Sequence, residues 1–184
     1  MTALLAWEFL LRVQSEAFPL QVGALEDLAT LAPERHSAVV LSAGMVTIRL
    51  QRRKHRPAGS TLKRPCRCST VGRQFCAACR TADHVLAKSF VPGDRLQGRN
   101  GYGFQKQLRR YLALQMVEGA ASFTLKSFRA GRATALAAGG ATWQAVLAAG
   151  EWRGLAAVRY LGVDAIDESV FMKSVMEASS DDEA

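Results

Sequence analysis

The sequence predicts a mainly α-helical domain of the α+β class with one small antiparallel β-sheet. Two observations predict this class. Apolar residues at helical spacing recur along most of the chain, and two adjacent β-rich runs lie within residues 37–50. The chain has 184 residues, of which 49% are hydrophobic, so it can build the core of one domain. No internal repeat is visible.

The first part of the chain contains the predicted sheet. Residues 2–14 are expected to form a helix because they carry a broad apolar face, and residues 25–31 are expected to form a short helix or turn. Residues 37–41 and 45–50 should pair as a hairpin, because the second run alternates apolar and polar side chains. Strand or loop is expected to continue through residues 51–64.

The second part of the chain is predicted to be helical. Residues 65–83 are expected to form a loop that carries all four cysteines. Helices are then expected at residues 104–117, 124–138, 142–149, 154–161 and 165–178. Gly139-Gly140 should end the second of these helices, and Thr142 should cap the third. The acidic end, residues 179–184, is expected to be a frayed terminus.

The charge is strongly positive and unevenly distributed. The net charge is +8, and the isoelectric point is about 9.8. Between Arg35 and Ala82 there are eleven basic residues and no acidic ones, whereas seven acids lie between Asp164 and the end. A long acid-free segment indicates a surface that faces phosphates. The composition therefore favours a nucleic acid as partner, with an anionic membrane surface as the second choice.

No membrane span or secretion signal is predicted. The apolar start, residues 4–13, is interrupted by Glu8 and Arg12 and is far shorter than the roughly 20 residues that a spanning helix needs. No membrane partner is expected, and an intracellular, reducing compartment follows. The cysteines are therefore expected to be thiols or metal ligands, and disulfides are disfavoured.

The four cysteines have a spacing that suits a metal. They form Cys66-x-Cys68 and Cys76-x-x-Cys79, and His84 follows five residues later as a further candidate ligand. Four thiolates suit a closed tetrahedral zinc site, which would serve a structural role in a short irregular loop. The alternative is a set of four reduced cysteines in a basic loop.

A motif in the second part of the chain resembles a known family. Lys126, Arg129, Gly150-Glu151-Trp152 and Tyr160 occur in the order and at the spacing of the second conserved box of tyrosine recombinases, the phage-integrase family. Upstream, Arg12 is soon followed by Ser15-Glu16, which is similar to the box around the first catalytic arginine. The Cys-containing segment resembles variants from eukaryotic mobile elements.

The resemblance covers nearly the whole chain and implies a fold, a reaction and a set of residues. The implied fold is that of DNA breaking-rejoining enzymes. The implied function is DNA recombination or integration through a 3′-phosphotyrosine intermediate, with double-stranded DNA as partner. The implied catalytic residues are Arg12, Lys54, Lys126, Arg129, Trp152 and Tyr160. Lys54 is included because the family places its catalytic lysine at or just beyond a β-hairpin.

The resemblance also implies an organisation. Residues 1–178 would be the catalytic domain, with a basic insert at about 63–84, and the N-terminal core-binding domain of the family is expected to be absent. A homo-oligomer on DNA could form through the last helix, residues 165–178. The location would be the nucleus in a eukaryote and the cytoplasm otherwise.

These residue types suit phosphodiester cleavage. Arg12 and Arg129 would stabilise charge on the phosphate oxygens, because a guanidinium is permanently charged and binds oxygens through a planar fork. Tyr160 would attack, Trp152 would donate its indole N–H, and Lys54 would protonate the leaving 5′ oxygen. No cofactor is expected for catalysis. Further DNA contacts are expected from Arg52, Arg53, Arg56, Lys63, Arg64 and Arg132.

Other interpretations remain open at this point. Lys126 stands where the family most often has histidine, and a lysine normally keeps its proton near neutral pH. The chain could therefore be a non-catalytic DNA-binding relic of a mobile element, or a zinc-stapled nucleic-acid-binding module at residues 50–84. Arg12, Trp152 and Tyr160 could each be ordinary structural residues. A two-metal nuclease is disfavoured because the basic middle lacks clustered carboxylates.

Overall fold

A computed structural model describes residues 1–24, 36–53, 56–97 and 101–161 of the chain. About half of these residues are helical, and four short strands form one sheet, so the predicted α+β class is confirmed. No helix in these ranges is long and apolar enough to cross a membrane. The expectations for residues 25–31, Lys54, the last helix and the acidic end lie outside the described residues.

The sheet is mixed, where the sequence predicted an antiparallel one. It has the order β1-β2-β3-β4, in which β1 runs parallel to β2 and the other neighbours are antiparallel. The strands are β1 (Gln21–Val22), β2 (Ala38–Ser42), β3 (Met45–Leu50) and β4 (Ser60–Pro65). A two-residue strand such as β1 is too short to show an alternating pattern, and for that reason its parallel pairing was not predicted.

The predicted hairpin is confirmed as β2 and β3. Ser42 pairs with Met45, and Gly44 adopts a φ of +69°, which a glycine reaches without steric cost. Val39, Val46 and Ile48 are buried. This burial explains why the alternation in the second run was a good predictor of a strand.

Within the described residues there are six α-helices, and they agree in part with the sequence prediction. They are α1 (Thr2–Glu8), α2 (Cys68–Val71), α3 (Ala77–Ala87), α4 (Gly101–Leu114), α5 (Ser127–Ala138) and α6 (Trp143–Gly150). Residues 65–83 were expected to be a loop, and that expectation is wrong, since α2 and the start of α3 lie there. The helical prediction for residues 154–161 is confirmed as the 3-10 helix Gly154–Tyr160. The predicted caps also occur: Gly139 ends α5, and the Thr142 hydroxyl accepts a hydrogen bond from the Ala145 N–H at 3.2 Å.

The first helix is shorter than predicted. It ends at Glu8, the buried Leu10 adopts a left-handed φ of +49°, and a π-helical turn then spans Val13–Ala17. The Glu16 carboxylate accepts the Arg12 backbone N–H at 2.8 Å and so caps this turn. The apolar pattern of residues 2–14 continues through this break, and for that reason it predicted one long helix.

In the described part of the chain, two apolar clusters form the core. The larger one packs the sheet against α1 and α3 and contains Leu5, Phe9 and Ile48. The smaller one packs α5, α6 and the 3-10 helix Gly154–Tyr160 together around Trp143 and Val146. Leu10 belongs to the smaller cluster although its neighbours in sequence belong to the larger one. The segment after α1 therefore connects the two clusters, and the candidate site lies along it.

Candidate active site

One cavity brings together four of the six residues that the family resemblance implies as catalytic. Its volume is about 700 Å³, and Arg12, Lys126, Arg129 and Tyr160 all line it. Arg12 precedes the π-helical turn, Lys126 and Arg129 lie at the start of α5, and Tyr160 ends the 3-10 helix. Three segments that are distant in sequence thus supply the cationic and phenolic groups of one surface.

Arg129 is the buried centre of this group. Its side chain is 3% exposed, and its Nη2 donates to the Gly150 carbonyl at 2.7 Å. Its Nε and Nη1 are buried and have no hydrogen-bond partner among the described residues. Burial, with repulsion from Arg53, lowers the pKa of Arg129 to about 10, while Glu16 opposes this shift. Arg129 therefore remains a cation at neutral pH and keeps two donors available.

Trp152 and Tyr160 pack beside this guanidinium. The Arg129 Cζ lies 4.5 Å from the centre of the Trp152 ring and 5.6 Å from that of Tyr160. The two rings are 5.3 Å apart at an interplanar angle of 32°. The Trp152 Nε1 is also buried without a hydrogen-bond partner among the described residues. Cation–π packing therefore holds Arg129 next to the candidate nucleophile, and a third donor lies in the same group.

Gly150 packs too closely against the Trp152 ring for any side chain to fit at this position. A Cβ added at Gly150 would lie 2.1 Å from Cε3 of the Trp152 ring. No real Cβ contact is that short, so a side chain at Gly150 must push the indole away. The glycine of the Gly-x-Trp motif is therefore required by close packing against the tryptophan two residues later.

Gly150→Ala is expected to displace Trp152 and to lower the unfolding free energy by about 1–3 kcal/mol, as overpacking does. Thermal unfolding and the near-UV circular dichroism of the tryptophans would measure both effects. Ala148→Ser, an exposed change on the same helix, is the control and should alter neither. An unchanged melting temperature and tryptophan spectrum for Gly150→Ala would contradict this packing argument.

A buried network of ion pairs lies beside the candidate site. The Glu16 carboxylate lies 3.4 Å from Nη1 of Arg12 and 3.3 Å from Nε of Arg53. Nη1 of Arg53 also lies 2.5 Å from Glu151. From the sequence, Glu16 was predicted only as part of a motif, and no role was predicted for Glu151. Glu16 lies four residues after Arg12, and Glu151 directly precedes Trp152; these positions were the available indication.

The sequence predicted that Arg53 lies on a DNA-facing surface, but its side chain is buried. Its side chain is 4% exposed and is paired with two carboxylates, so the expectation of a direct DNA contact is wrong. Arg52 and Arg53 follow β3, and Arg53 forms an isolated bridge with Arg56. Neighbouring residues of an extended segment face opposite sides, and Arg52 is exposed.

The other predicted DNA contacts fall into two groups. Arg52, Arg56 and Lys63 are exposed. Arg64 and Arg132 are tied to α1: the Arg64 Nε donates to the Glu8 carbonyl at 3.2 Å, and Arg132 lies 6.0 Å from the centre of the Trp7 ring. Arg56 also lies 3.6 Å from the Glu151 carboxylate, so Arg52 and Lys63 are the two of these residues that are exposed without a described ion pair.

The four cysteines form one cluster. Their sulfur atoms all lie within 4.8 Å of one another, so they could bind a metal such as zinc. The Sγ atoms of Cys66 and Cys79 are 3.5 Å apart, those of Cys68 and Cys79 3.2 Å, and those of Cys76 and Cys66 3.8 Å. A tetrahedron with Zn–S bonds of about 2.3 Å places its sulfurs about 3.8 Å apart, so the donor set fits zinc.

The Cys76 thiol has a pKa below its usual value. Burial acts to raise its pKa, but N–H donors of Cys79 and Arg67 and the neighbouring thiols lower it to about 6. The Arg67 N–H lies 3.3 Å from the Cys76 sulfur. The cluster therefore already holds one sulfur as a thiolate at neutral pH, which is the form that metals bind.

His84 is not part of this cluster, in contrast to its inclusion among the candidate ligands. Its Nε2 lies 3.3 Å from the Leu96 carbonyl oxygen, and its ring packs edge-on against Phe90. His84 lies five residues after Cys79 on α3, and positions five apart lie on different faces of a helix. His84 therefore does not point toward the cysteine cluster.

Comparisons with protein-family models, with curated proteins and with solved structures found no match for this chain.

Proposed function

We propose that this protein cleaves and rejoins DNA strands through a 3′-phosphotyrosine intermediate on Tyr160. One observation carries the proposal: Arg129 and Trp152 hold three buried nitrogen donors without hydrogen-bond partners among the described residues, directly beside Tyr160. Buried polar donors normally have partners, so a group of three supports the binding of an anionic ligand.

The chemistry of phosphodiester cleavage suits these groups. Tyr160 loses its proton to solvent, its oxygen forms a bond to phosphorus, and the bond from phosphorus to the 5′ oxygen breaks. Arg12 and Arg129 neutralise the charge that develops on the non-bridging oxygens. The leaving 5′ oxygen takes up a proton, for which Lys54 is the proposed donor. The covalent bond to Tyr160 conserves the bond energy, so rejoining needs neither ATP nor a metal ion.

The charge around the cavity supports duplex DNA as the ligand. No acidic residue occurs between Asp94 and Glu118 or between Glu118 and Glu151, and these stretches include α4 and α5, which contribute to the cavity wall. Electrostatic contacts of this kind bind the sugar-phosphate backbone without regard to sequence, and their affinity falls steeply with salt.

The test is a nicked suicide duplex labelled on the strand that is to be cut. The nick lets a short 5′-hydroxyl fragment leave, so a covalent protein–DNA species should accumulate on a denaturing gel, in the presence of a metal chelator. Absence of the adduct with wild-type protein would overturn the proposal. Binding of the duplex without an adduct would favour the alternative function, a non-catalytic DNA-binding relic.

We further propose that the four-cysteine cluster binds one structural zinc ion. The sulfur separations support it, and so does the position of the cluster, which joins β4, α2 and α3. Arg67, between the two cysteines of the first pair, also lies 2.6 Å from the Glu8 carboxylate of α1. A metal at this place would fix the β4–α3 segment against the helix that leads into the site.

Zinc removal is expected to destabilise the domain. Wild-type protein should contain one zinc per chain by atomic emission, and Cys79→Ser should lose it together with several kcal/mol of stability, because the metal contributes folding free energy directly. His84→Asn is the matched control and should keep the full stoichiometry. Metal-free wild-type protein that unfolds at the same temperature as the purified protein would contradict a structural role.

A further inference from the structure

Arg53 satisfies three acceptors that belong to different segments of the site. Its Nε lies 3.3 Å from Oε1 of Glu16, its Nη1 lies 2.5 Å from Oε2 of Glu151, and its Nη2 donates to the Leu10 carbonyl at 3.2 Å. All three contacts are shielded, since the Arg53 side chain is only 4% exposed. Arg53 cannot reach a substrate without giving up this network, so any contribution to the site must act through its partners.

Two of these partners have an unusual backbone. Leu10 and Glu151 adopt φ angles of +49° and +48°, which residues with a side chain rarely do. Leu10 lies two residues before Arg12, and Glu151 lies directly before Trp152. Strained backbone of this kind persists only where surrounding contacts hold it. A single guanidinium therefore contacts both strained residues that flank the candidate catalytic groups.

Three arginines lie around the Glu16 carboxylate and compete for it. Its carboxylate faces Arg12, Arg53 and Arg129, but the three arginines are not equivalent. Arg53 and the Arg12 backbone N–H lie within hydrogen-bond distance of it, whereas Nη1 of Arg129 is 3.8 Å away and forms no hydrogen bond. Nη1 of Arg129 faces Oε2 of Glu16, and this oxygen already accepts the Arg12 backbone N–H at 2.8 Å and Nη2 of Arg53 at 3.5 Å.

We propose that Arg53 is a positioning residue that occupies Glu16 and thereby leaves Arg129 free to bind a substrate phosphate. Without Arg53, the Glu16 carboxylate would take up Nη1 of Arg129 as a replacement donor, over a gap of 3.8 Å. The anion site would then lose one donor and part of its positive charge. This inference deepens the proposed function, since it concerns the same phosphate site.

A purely structural role for Arg53 makes a different prediction. If the network only stabilised the fold, removing Arg53 would lower the melting temperature, and the folded fraction would bind phosphate normally. If Arg53 keeps Glu16 away from Arg129, the loss of phosphate affinity must depend on the charge of Glu16. A double-mutant cycle between Arg53 and Glu16 separates these two cases.

The experiment titrates inorganic phosphate against ¹⁵N-labelled protein and follows the Arg129 Nε–H resonance. Wild type should bind phosphate, and Arg53→Met should weaken that binding about tenfold, which is the loss expected for one charge-assisted hydrogen bond. In the Glu16→Gln background, Arg53→Met should cost less than about threefold, because a neutral amide competes weakly for Arg129. Lys88→Met, exposed just after α3, is the matched control.

Each outcome bears on the inference. A tenfold loss that disappears in the Glu16→Gln background supports it. An Arg53→Met protein with wild-type affinity, an equal loss in both backgrounds, or a wild type that binds no phosphate would overturn it. If Arg53→Met does not fold, Arg53→Lys replaces it: an ammonium cannot span Glu16 and Glu151 together, and affinity should fall about threefold in folded protein. Phosphate binding requires no cleavage, so a missing DNA adduct would refute the proposed function alone.

Discussion

Tyr160→Phe is expected to abolish the covalent protein–DNA adduct, with a loss of at least about ten-thousand-fold in its rate of formation. The substitution removes one oxygen and leaves the ring. That ring packs 5.3 Å from Trp152 and 5.6 Å from the Arg129 guanidinium, and a phenylalanine can keep both contacts. The fold and the affinity for duplex DNA should therefore stay close to those of wild type.

The chain provides matched controls for this experiment. It has three tyrosines, and the other two, Tyr102 and Tyr111, lie on α4 with 80% and 61% exposure. Tyr102→Phe and Tyr111→Phe should form the adduct at the wild-type rate. Protease digestion and mass spectrometry should place the nucleotide on the peptide that contains Tyr160. An adduct that survives Tyr160→Phe, or that maps to another residue, would refute Tyr160 as the nucleophile.

The sequence predicted well those elements whose pattern is local. The β2–β3 hairpin and the caps at Gly139 and Thr142 each depend on a few neighbouring residues, and each occurs as expected. The cysteine spacing likewise indicated a cluster, and the four sulfurs lie together. The parallel pairing of β1 was missed because a two-residue strand carries little periodicity. The start of α3 was missed because it was assigned, with the four cysteines, to a loop over residues 65–83.

The candidate site could be predicted only as a set of residue types. The resemblance to the family motif implied Arg129, Trp152 and Tyr160, and these three do pack together. What spacing could not indicate is the break after α1 and the burial of Arg53. Both depend on Glu16, whose contacts come from residues up to 113 positions away along the chain. Long-range ion pairs leave no periodic pattern in a sequence.

Arg129→Met is expected to reduce adduct formation about a thousandfold. Removal of one pre-organised donor to a developing charge costs roughly a hundred- to a thousandfold in rate, and Arg129 offers two donors and a positive charge. The binding of inorganic phosphate should fall in parallel. Rates on the nicked duplex under single-turnover conditions measure the first effect, and a phosphate titration measures the second.

Arg132→Met is the matched control because it lies one turn further along α5. Its guanidinium is 6.0 Å from the centre of the Trp7 ring and does not line the cavity. The control should therefore cleave the nicked duplex at nearly the wild-type rate, although it loses packing against α1. Equal losses for the two variants would mean that a general loss of positive charge, and not the position of Arg129, limits the reaction.

Arg129→Met should reduce the reaction rate more than Arg132→Met does, but it should reduce stability less. Arg129 is desolvated with two donors unsatisfied among the described residues, and methionine in its place relieves that cost while leaving the Gly150 carbonyl without its partner. These effects nearly offset each other, so the unfolding free energy should change by less than about 2 kcal/mol in either direction. If removal of Arg129 eliminates activity at little cost in stability, its main role is to bind the ligand and not to stabilise the fold. A large loss of stability with Arg129→Met would instead make it a core residue, and would remove the observation on which the proposed function rests.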